Sequence, residues 1–133
     1  MIVVDSSVWI DYFNGVRSVH TDKLDELLGV EPLAVGDVIL IEVLQGFRSD
    51  ADFKTAKRLM GSLTVVDMLG EAAAIRSAEN HRTLRKRGVT VRKTLDTVIA
   101  TYCIDHEAPL LFQDRDFLPF VEHLGLVPLI RAG

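Results

Sequence analysis

Residues 2–10 read Ile-Val-Val-Asp-Ser-Ser-Val-Trp-Ile, an apolar run that is interrupted by one aspartate and two serines. The opening aliphatic residues show no polar alternation, which predicts a strand over residues 2–5 that is buried on both faces of a parallel sheet. Ser6 or Ser7 is a suitable cap for a short helix, which we expect to end near Asn14. A strand followed at once by a helix is the repeating unit of an α/β fold.

The same alternation continues along the chain. Further strands are predicted at residues 32–36, 63–66 and 109–112, with an additional edge strand at 126–129. Helices are predicted at residues 21–28, 37–47, 50–60, 71–87, 94–106 and 114–124. This order predicts an α/β/α sandwich with a mostly parallel central sheet flanked by helices. No linker or repeat divides the chain, so we expect a single domain over residues 1–133.

The helix predicted at residues 71–87 is the longest and carries a sparse apolar pattern. Spacing at three and four residues predicts that its buried face consists of Ala74, Ile75, Ala78 and Leu84. Basic residues fill its last turn before Gly88, as the helix dipole favours.

Composition narrows the cellular context. Hydrophobic residues make up 48% of the chain and the mean hydropathy is +0.22, which indicates a well-buried fold. No apolar run approaches the roughly 18 residues that span a bilayer, and the start of the chain lacks the basic leader of a signal peptide. The single Cys103 is expected to be a packing residue, because it lies in an apolar run and has no partner for a disulfide. We therefore expect a cytoplasmic protein without a membrane segment.

Carboxylates lie at the ends or on the flanks of several apolar segments: Asp5, Glu42, Asp96 and Asp114, with Asp116 two residues farther on. Carboxylates avoid such surroundings unless another group compensates for their burial. Asp5 and Asp114 both follow predicted strands, so they should emerge at the same edge of the sheet, where sites in such folds form. The four histidines show no zinc-like spacing, so a hard cation such as Mg2+ is the expected compensating group. Such an ion can activate a water molecule for phosphodiester hydrolysis.

Each acid also has a purely structural interpretation. Asp5 or Asp114 would cap the helix that follows it, and Asp96 would favour a helix dipole from the first turn. Glu42 would need a cationic partner, Arg48 or Arg92, because an unpaired buried glutamate is costly.

A basic ridge precedes Asp96 and is made of Arg82, Arg85, Lys86, Arg87, Arg92 and Lys93. The net charge of −4 and the pI near 5.5 argue against a nucleic-acid partner, but this local cluster argues for one. A basic ridge beside an acidic pocket suits a metal enzyme that acts on a polyanion. The alternative is an ordinary solvated helix end.

Four short motifs follow one another along the chain. They are Val-Asp-Ser-Ser-Val-Trp-Ile at 4–10, Ile-Glu-Val-Leu-Gln-Gly at 41–46, Asp-Thr-Val-Ile-Ala at 96–100 and Asp-Arg-Asp-Phe at 114–117. In this order and spacing they resemble the PIN-domain ribonucleases, and most closely the VapC-type toxins of bacterial VapBC toxin–antitoxin pairs. The resemblance extends from Ile2 to about Leu129 and implies a PIN-like fold for nearly the whole chain.

The resemblance implies roles for particular residues. The catalytic acids would be Asp5, Glu42, Asp96 and Asp114, and the ligands of Mg2+, or of Mn2+ as a substitute, would be Asp5, Asp96, Asp114 and Asp116. Ser6 would hold the Asp5 carboxylate or a water molecule. Family members often have a serine shortly before the third acid, where this chain has Lys93 followed by the hydroxyl of Thr94. RNA contacts would come from the basic ridge, at Arg85, Arg87, Arg92 and Lys93.

The resemblance also implies partners. The protein would be a Mg2+-dependent endoribonuclease toxin that is inhibited by a VapB-type antitoxin, whose C-terminal segment would lie in a groove of the early helices. It would form a homodimer and would reach operator DNA only through the antitoxin complex. Two alternatives remain at this point: a PIN nuclease of RNA maturation, and a receiver-like phosphate-sensing module. The second needs a lysine at the end of a later strand, which this chain lacks.

Overall fold

A parallel sheet of four short strands forms the centre of the fold. In the computed structural model, which describes residues 1–131, the strands are β1 (Ile2–Val4), β2 (Leu33–Gly36), β3 (Thr64–Val66) and β4 (Leu110–Leu111). Their order across the sheet is β3-β2-β1-β4, and all neighbours are parallel. The last two residues of the predicted domain lie outside the described part. The four principal strands predicted from the sequence are confirmed.

Helices connect the strands and flank the sheet. They are α1 (Ser6–Phe13), α2 (Val19–Leu27), α3 (Asp37–Leu44), α4 (Asp50–Gly61), α5 (Glu71–Lys86), α6 (Thr94–Asp105) and α7 (Leu118–Leu124). Helix α1 packs against α2 and α3, and α5 packs against α6 and α7. This arrangement confirms the predicted α/β/α sandwich with a parallel central sheet.

Two predictions for the C-terminal third were wrong in detail. The helix expected from residue 114 begins as a 3-10 turn at Arg115–Phe117, and α7 follows it. The edge strand expected at residues 126–129 is reduced to a single bridge between Leu110 and Pro128. Proline has no N–H to extend the hydrogen-bonded ladder, and β4 itself is only two residues long.

The predicted buried face of α5 was also wrong. Of the four expected residues only Leu84 is buried, and the exposed ones are Ala74, Ile75 and Ala78. The buried face instead includes Ser77 and Asn80. The Ser77 hydroxyl donates to a carbonyl one turn earlier, at 2.7 Å, and Asn80 Nδ2 donates to Oγ1 of Thr101 on α6, at 2.9 Å. Because both polar groups have hydrogen-bond partners, the cost of burying them is largely offset.

The core is one continuous cluster of apolar side chains that runs from β1 to Leu126. Its largest fully buried members include Trp9 and Phe117, and Cys103 lies within it, as expected for a packing residue. Burial and the nearby Asp5 charge raise the pKa of the Cys103 thiol to about 12. Among residues 1–131, no helix combines the length and the apolar character that crossing a membrane requires.

Candidate metal centre

The carboxyl edge of the sheet brings acidic residues together from distant parts of the chain. Asp5 directly follows β1, and Asp114 lies three residues beyond β4. Asp96 is in the first turn of α6, and Glu42 is on α3, the helix that leaves β2. Since β1 is flanked by β2 and β4, these segments start from neighbouring strands or from a helix packed beside them.

Asp5 is both a helix cap and a buried acid. Its Oδ2 atom accepts hydrogen bonds from Ser7, at 3.3 Å from the backbone N–H and 2.7 Å from the hydroxyl. Burial raises the pKa of Asp5, the hydrogen bonds from Ser7 oppose that rise, and the charge of Glu42 adds to it. The cap interpretation is therefore correct, and it does not exclude a second role at the sheet edge.

The hydroxyl expected to hold Asp5 has a different partner. Ser6 Oγ donates to Oε1 of Glu42, at 3.1 Å, whereas the hydroxyl on Asp5 belongs to Ser7. Consecutive residues of a helix point about 100° apart, so two neighbouring serines serve two different acids. Ser6 therefore does not hold the Asp5 carboxylate, and its expected contact with a water molecule stays a prediction. The partner that the structure gives Glu42 is thus a hydroxyl and not an arginine.

Three carboxylates lie closest together. Asp96, Asp114 and Asp116 each offer one oxygen, and these oxygens lie within 4.8 Å of one another. Asp96 is only 6% exposed, and its Oδ2 atom is buried without a hydrogen-bond partner. Burial raises the pKa of Asp96 to about 7, and the charge of Asp5 is the next largest cause, with smaller contributions from Asp114 and Glu42. The five predicted acids are therefore close enough for their charges to repel.

Asp114 is stabilised as an anion. Its Oδ1 atom accepts the backbone N–H of Asp116 at 2.9 Å, and its Oδ2 atom accepts Nζ of Lys93 at 3.1 Å. These contacts, the backbone hydrogen bond first, lower the pKa of Asp114. Lys93 pairs with an acid of the cluster in the structure, and its expected contact with RNA stays a prediction.

Two residues around the acids were not identified from the sequence. The side chain of Gln113 contacts Asp11 on α1, at 2.8 Å. Thr97, next to Asp96, is buried and its hydroxyl has no partner within the described residues. Thr94, the hydroxyl expected near Asp96, is exposed at the start of α6. The only sequence signal for Thr97 was a threonine inside an apolar run.

The cations of the basic ridge differ in their contacts within residues 1–131. Arg85 and Arg92 are exposed. Arg87 is also exposed but donates to the backbone carbonyl of His123, at 3.1 Å, near the end of α7. A cation there complements the negative end of that helix.

The donor set fits a hard divalent cation. Every candidate ligand is a carboxylate oxygen, which suits Mg2+ or Mn2+ better than Zn2+. The unpartnered Oδ2 of Asp96 is the clearest indication, because a buried carboxylate oxygen normally has a donor or a metal ion. A cation would also offset the burial and the repulsion that together raise the pKa of Asp96.

Comparison with known proteins agrees with these features. The PIN domain family model matches residues 2–120. Ribonuclease VapC11 of Mycobacterium tuberculosis and a VapC ribonuclease of Mycobacterium bovis are each 32% identical over 120 residues, which cover 88% of this chain and 89% of the relative.

Two solved structures share the fold. VapBC2 from Rickettsia felis, bound to a DNA fragment from its promoter, aligns with a TM-score of 0.75 at 17% identity and covers 96% of this chain and 97% of that one. A toxin–antitoxin complex from Klebsiella pneumoniae aligns with a TM-score of 0.72 at 16% identity and covers 96% of each chain. With the family model and the 32% identical relatives, the conclusion is that this chain belongs to the PIN-domain family and is of the VapC type.

Proposed function

We propose that this protein is a Mg2+-dependent endoribonuclease that acts as the toxin of a type II toxin–antitoxin pair. The observation that carries the proposal is the cluster of Asp96, Asp114 and Asp116 oxygens within 4.8 Å of one another, at the carboxyl edge of a PIN-type sheet. The relatives that are 32% identical are named as ribonucleases, which supports RNA as the substrate.

The acids would have two different roles, metal binding and orientation of the attacking water. Asp5, Asp96, Asp114 and Asp116 would hold Mg2+, for which Mn2+ would substitute. When bound, the ion supplies a polarised water and stabilises the charge that develops on the phosphate. Glu42, fixed by the Ser6 hydroxyl, would orient the attacking water by accepting one of its hydrogen bonds. Ser7 would keep the Asp5 carboxylate in place.

RNA would bind along the basic ridge. Arg85 and Arg92 are exposed and available for phosphate contacts, and Lys93 is beside the acids. Binding through such contacts weakens with salt, because condensed counterions are released from the nucleic acid. Arg87 would contribute less, since its guanidinium is engaged near the end of α7.

The partner would be a VapB-type antitoxin, as in the complexes that share this fold. A cavity of about 220 Å³ lies along α1 and α2, with Tyr12, Arg17 and Asp25 in its lining. It would receive part of the antitoxin. The protein would form a homodimer, would contact operator DNA only through the antitoxin, and would act in the cytoplasm, where RNA is met. The whole chain would form one domain, since its core is a single cluster.

The test is RNA cleavage by the purified protein with Mg2+ and with EDTA. Asp96→Asn should reduce cleavage at least about 100-fold, as expected when a residue that supports the reacting charge is lost. Asp105→Asn is the matched control, because Asp105 ends the same helix and forms an ion pair with Arg76 on the surface. Full cleavage by the folded Asp96→Asn protein would contradict the proposal. Induction in cells should stop growth, and co-expression of the antitoxin should restore it.

A further inference from the structure

We propose that Lys93 is a built-in competitor for the metal centre, whose ammonium group occupies Asp114 and lowers the affinity of the acid cluster for divalent cations. The inference rests on the proposed function, because it takes the acid cluster to be a metal site. It assigns Lys93 a role other than a permanent RNA contact.

Both oxygens of Asp114 already have protein donors. Oδ1 accepts the backbone N–H of Asp116 at 2.9 Å, and Oδ2 accepts Lys93 Nζ at 3.1 Å. A further cation on Oδ2 would meet the ammonium charge at close range. Each oxygen keeps a second lone pair, so a metal ion could still bind Asp114, but it would do so against the repulsion of the ammonium charge unless that donor withdraws.

The two donors differ in their freedom to withdraw. The Asp116 N–H belongs to the 3-10 turn at Arg115–Phe117, which Asp114 caps, so its departure would open that turn. The ammonium group of Lys93 is at the end of a flexible side chain that is 57% exposed. An exposed ion pair of this kind is weak, because solvent and salt screen both charges. Lys93 is thus the donor that a metal ion displaces.

The electrostatic field at Lys93 comes from the same cluster. The pKa of Lys93 is raised, first by the hydrogen bond to Asp114, then by its charge and that of Asp96, with Asp116 contributing less. These are the three residues whose oxygens lie within 4.8 Å of one another. The ammonium group thus partly neutralises the cluster when no metal is present, and it opposes a second cation.

The position of Lys93 breaks a local rule of helix structure. It is the N-cap of α6, where serine, threonine, aspartate or asparagine is preferred, and it makes no side-chain capping bond. A positive charge there also opposes the helix dipole. Violations of local preference in a folded protein concentrate at functional sites. The ion pair with Asp114 is the interaction that compensates for this unfavourable residue at the N-cap.

Displacement would also couple metal binding to RNA binding. A lysine released from Asp114 remains attached at the start of α6, beside the acids, where the scissile phosphate would lie. The same charge that opposes the metal ion in the free protein would then contact the anionic substrate. Lys93 would thus lower the affinity for the metal ion in the free protein and contribute a phosphate contact when RNA is bound.

The test is a direct titration of the protein with Mn2+ in the absence of RNA. The concentration of free Mn2+ is measured by electron paramagnetic resonance. Lys93→Met should bind Mn2+ about tenfold more tightly than wild type, which is the effect of one unit charge about 6 Å from a divalent ion in a water-like dielectric. Lys93→Arg keeps the charge and should bind Mn2+ within about twofold of wild type. Lys57→Met is the matched control, because Lys57 is exposed on α4.

The outcomes separate the two proposals. Equal or weaker Mn2+ binding by Lys93→Met, with wild type still showing saturable binding, would overturn only the competitor role. No saturable Mn2+ binding by any variant would overturn the metal centre itself, and with it the inference. Tighter binding by Lys57→Met to the same degree would show a general charge effect and would also overturn the specific role of Lys93.

Discussion

Gln113 donates a hydrogen bond of 2.8 Å from Nε2 to Oδ2 of Asp11, which joins two residues 102 positions apart in the chain. Asp11 lies on α1, the helix that Asp5 caps, and Gln113 directly precedes Asp114. The contact therefore links the two segments that carry Asp5 and Asp114. It fixes their separation without involving either acid.

Removal of this link should impair catalysis more than stability. In Asp11→Ala, we expect RNA cleavage at saturating Mg2+ to fall about tenfold, because small displacements of reacting groups are costly. The free energy of unfolding should fall by only about 1 kcal/mol, the typical contribution of one hydrogen bond. Asp25→Ala is the control, since it removes a 2.8 Å hydrogen bond from Tyr12 on α1 to α2, a helix that carries none of the five acids. Equal loss of cleavage in both variants would contradict a positioning role for Asp11.

Much of the fold and of the acid cluster could be predicted because the signals are local in the chain. The apolar run before Asp5 identifies a buried strand, and the acid at its end emerges at a known edge of a parallel sheet. The same reasoning applies to Asp114 after β4. Neither inference requires knowledge of which distant residues are in contact.

The errors concern residues whose environment is set by distant partners. Ser77 and Asn80 were not among the residues expected on the buried face of α5, yet Asn80 is buried and donates a hydrogen bond to Thr101 on another helix. Ser6 contacts Glu42, 36 positions away, and nothing local distinguishes it from Ser7. The periodicity of apolar residues indicates which residues share a face of a helix. It does not indicate which side chain of a neighbouring element will contact that face.

The raised pKa of Asp96 implies that stability depends on pH. Burial and repulsion raise this pKa from 3.8 to about 7, so between these values the folded state holds a proton that the unfolded state has lost. Stability from this group is therefore present below about pH 4 and is lost as pH rises to about 7. Without metal, Asp96→Asn should melt about 5 °C above wild type at pH 8, and the difference should vanish near pH 4.

The metal ion provides the control for that measurement. Saturating Mg2+ at pH 8 should raise the melting temperature of wild type, because an ion that binds only the folded state stabilises it. The same addition should leave Asp96→Asn nearly unchanged. A melting difference between the two proteins that does not depend on pH would show that Asp96 acts on stability through packing and not through its charge.

Gly36 is required by the residue that packs against it at the end of β2. A Cβ atom at this position would overlap the Met68 sulfur and would lie 2.6 Å from its Cε. Met68 is fully buried, and its backbone N–H is held by Asp37 at 2.9 Å, so it has little room to retreat. Gly36→Ala should therefore lower the free energy of unfolding by about 1–3 kcal/mol in denaturant titrations.

Two comparisons isolate this clash. Gly61→Ala, at the end of α4, meets nothing within 4 Å and should be neutral or should stabilise by up to about 1 kcal/mol. Gly36→Ala should also cost little in a Met68→Ala background, where the clashing atoms are absent. A full loss of stability in that double variant would assign the effect to the backbone and not to Met68.

The arginines of the basic ridge should differ in their contributions to RNA binding and to stability, although they are close in sequence. Arg85→Gln or Arg92→Gln should weaken RNA binding and reduce the slope of log affinity against log salt by about 0.7, the value for one phosphate contact on a single strand. Arg87→Gln should change that slope less, because this side chain donates to the His123 carbonyl at 3.1 Å, and should instead destabilise the fold by about 0.5–1 kcal/mol. The slopes are measured by fluorescence anisotropy of RNA binding between about 50 and 200 mM salt. Ca2+ replaces Mg2+ in these titrations to slow cleavage. Equal slopes for wild type and all three variants would show that RNA does not follow the basic ridge.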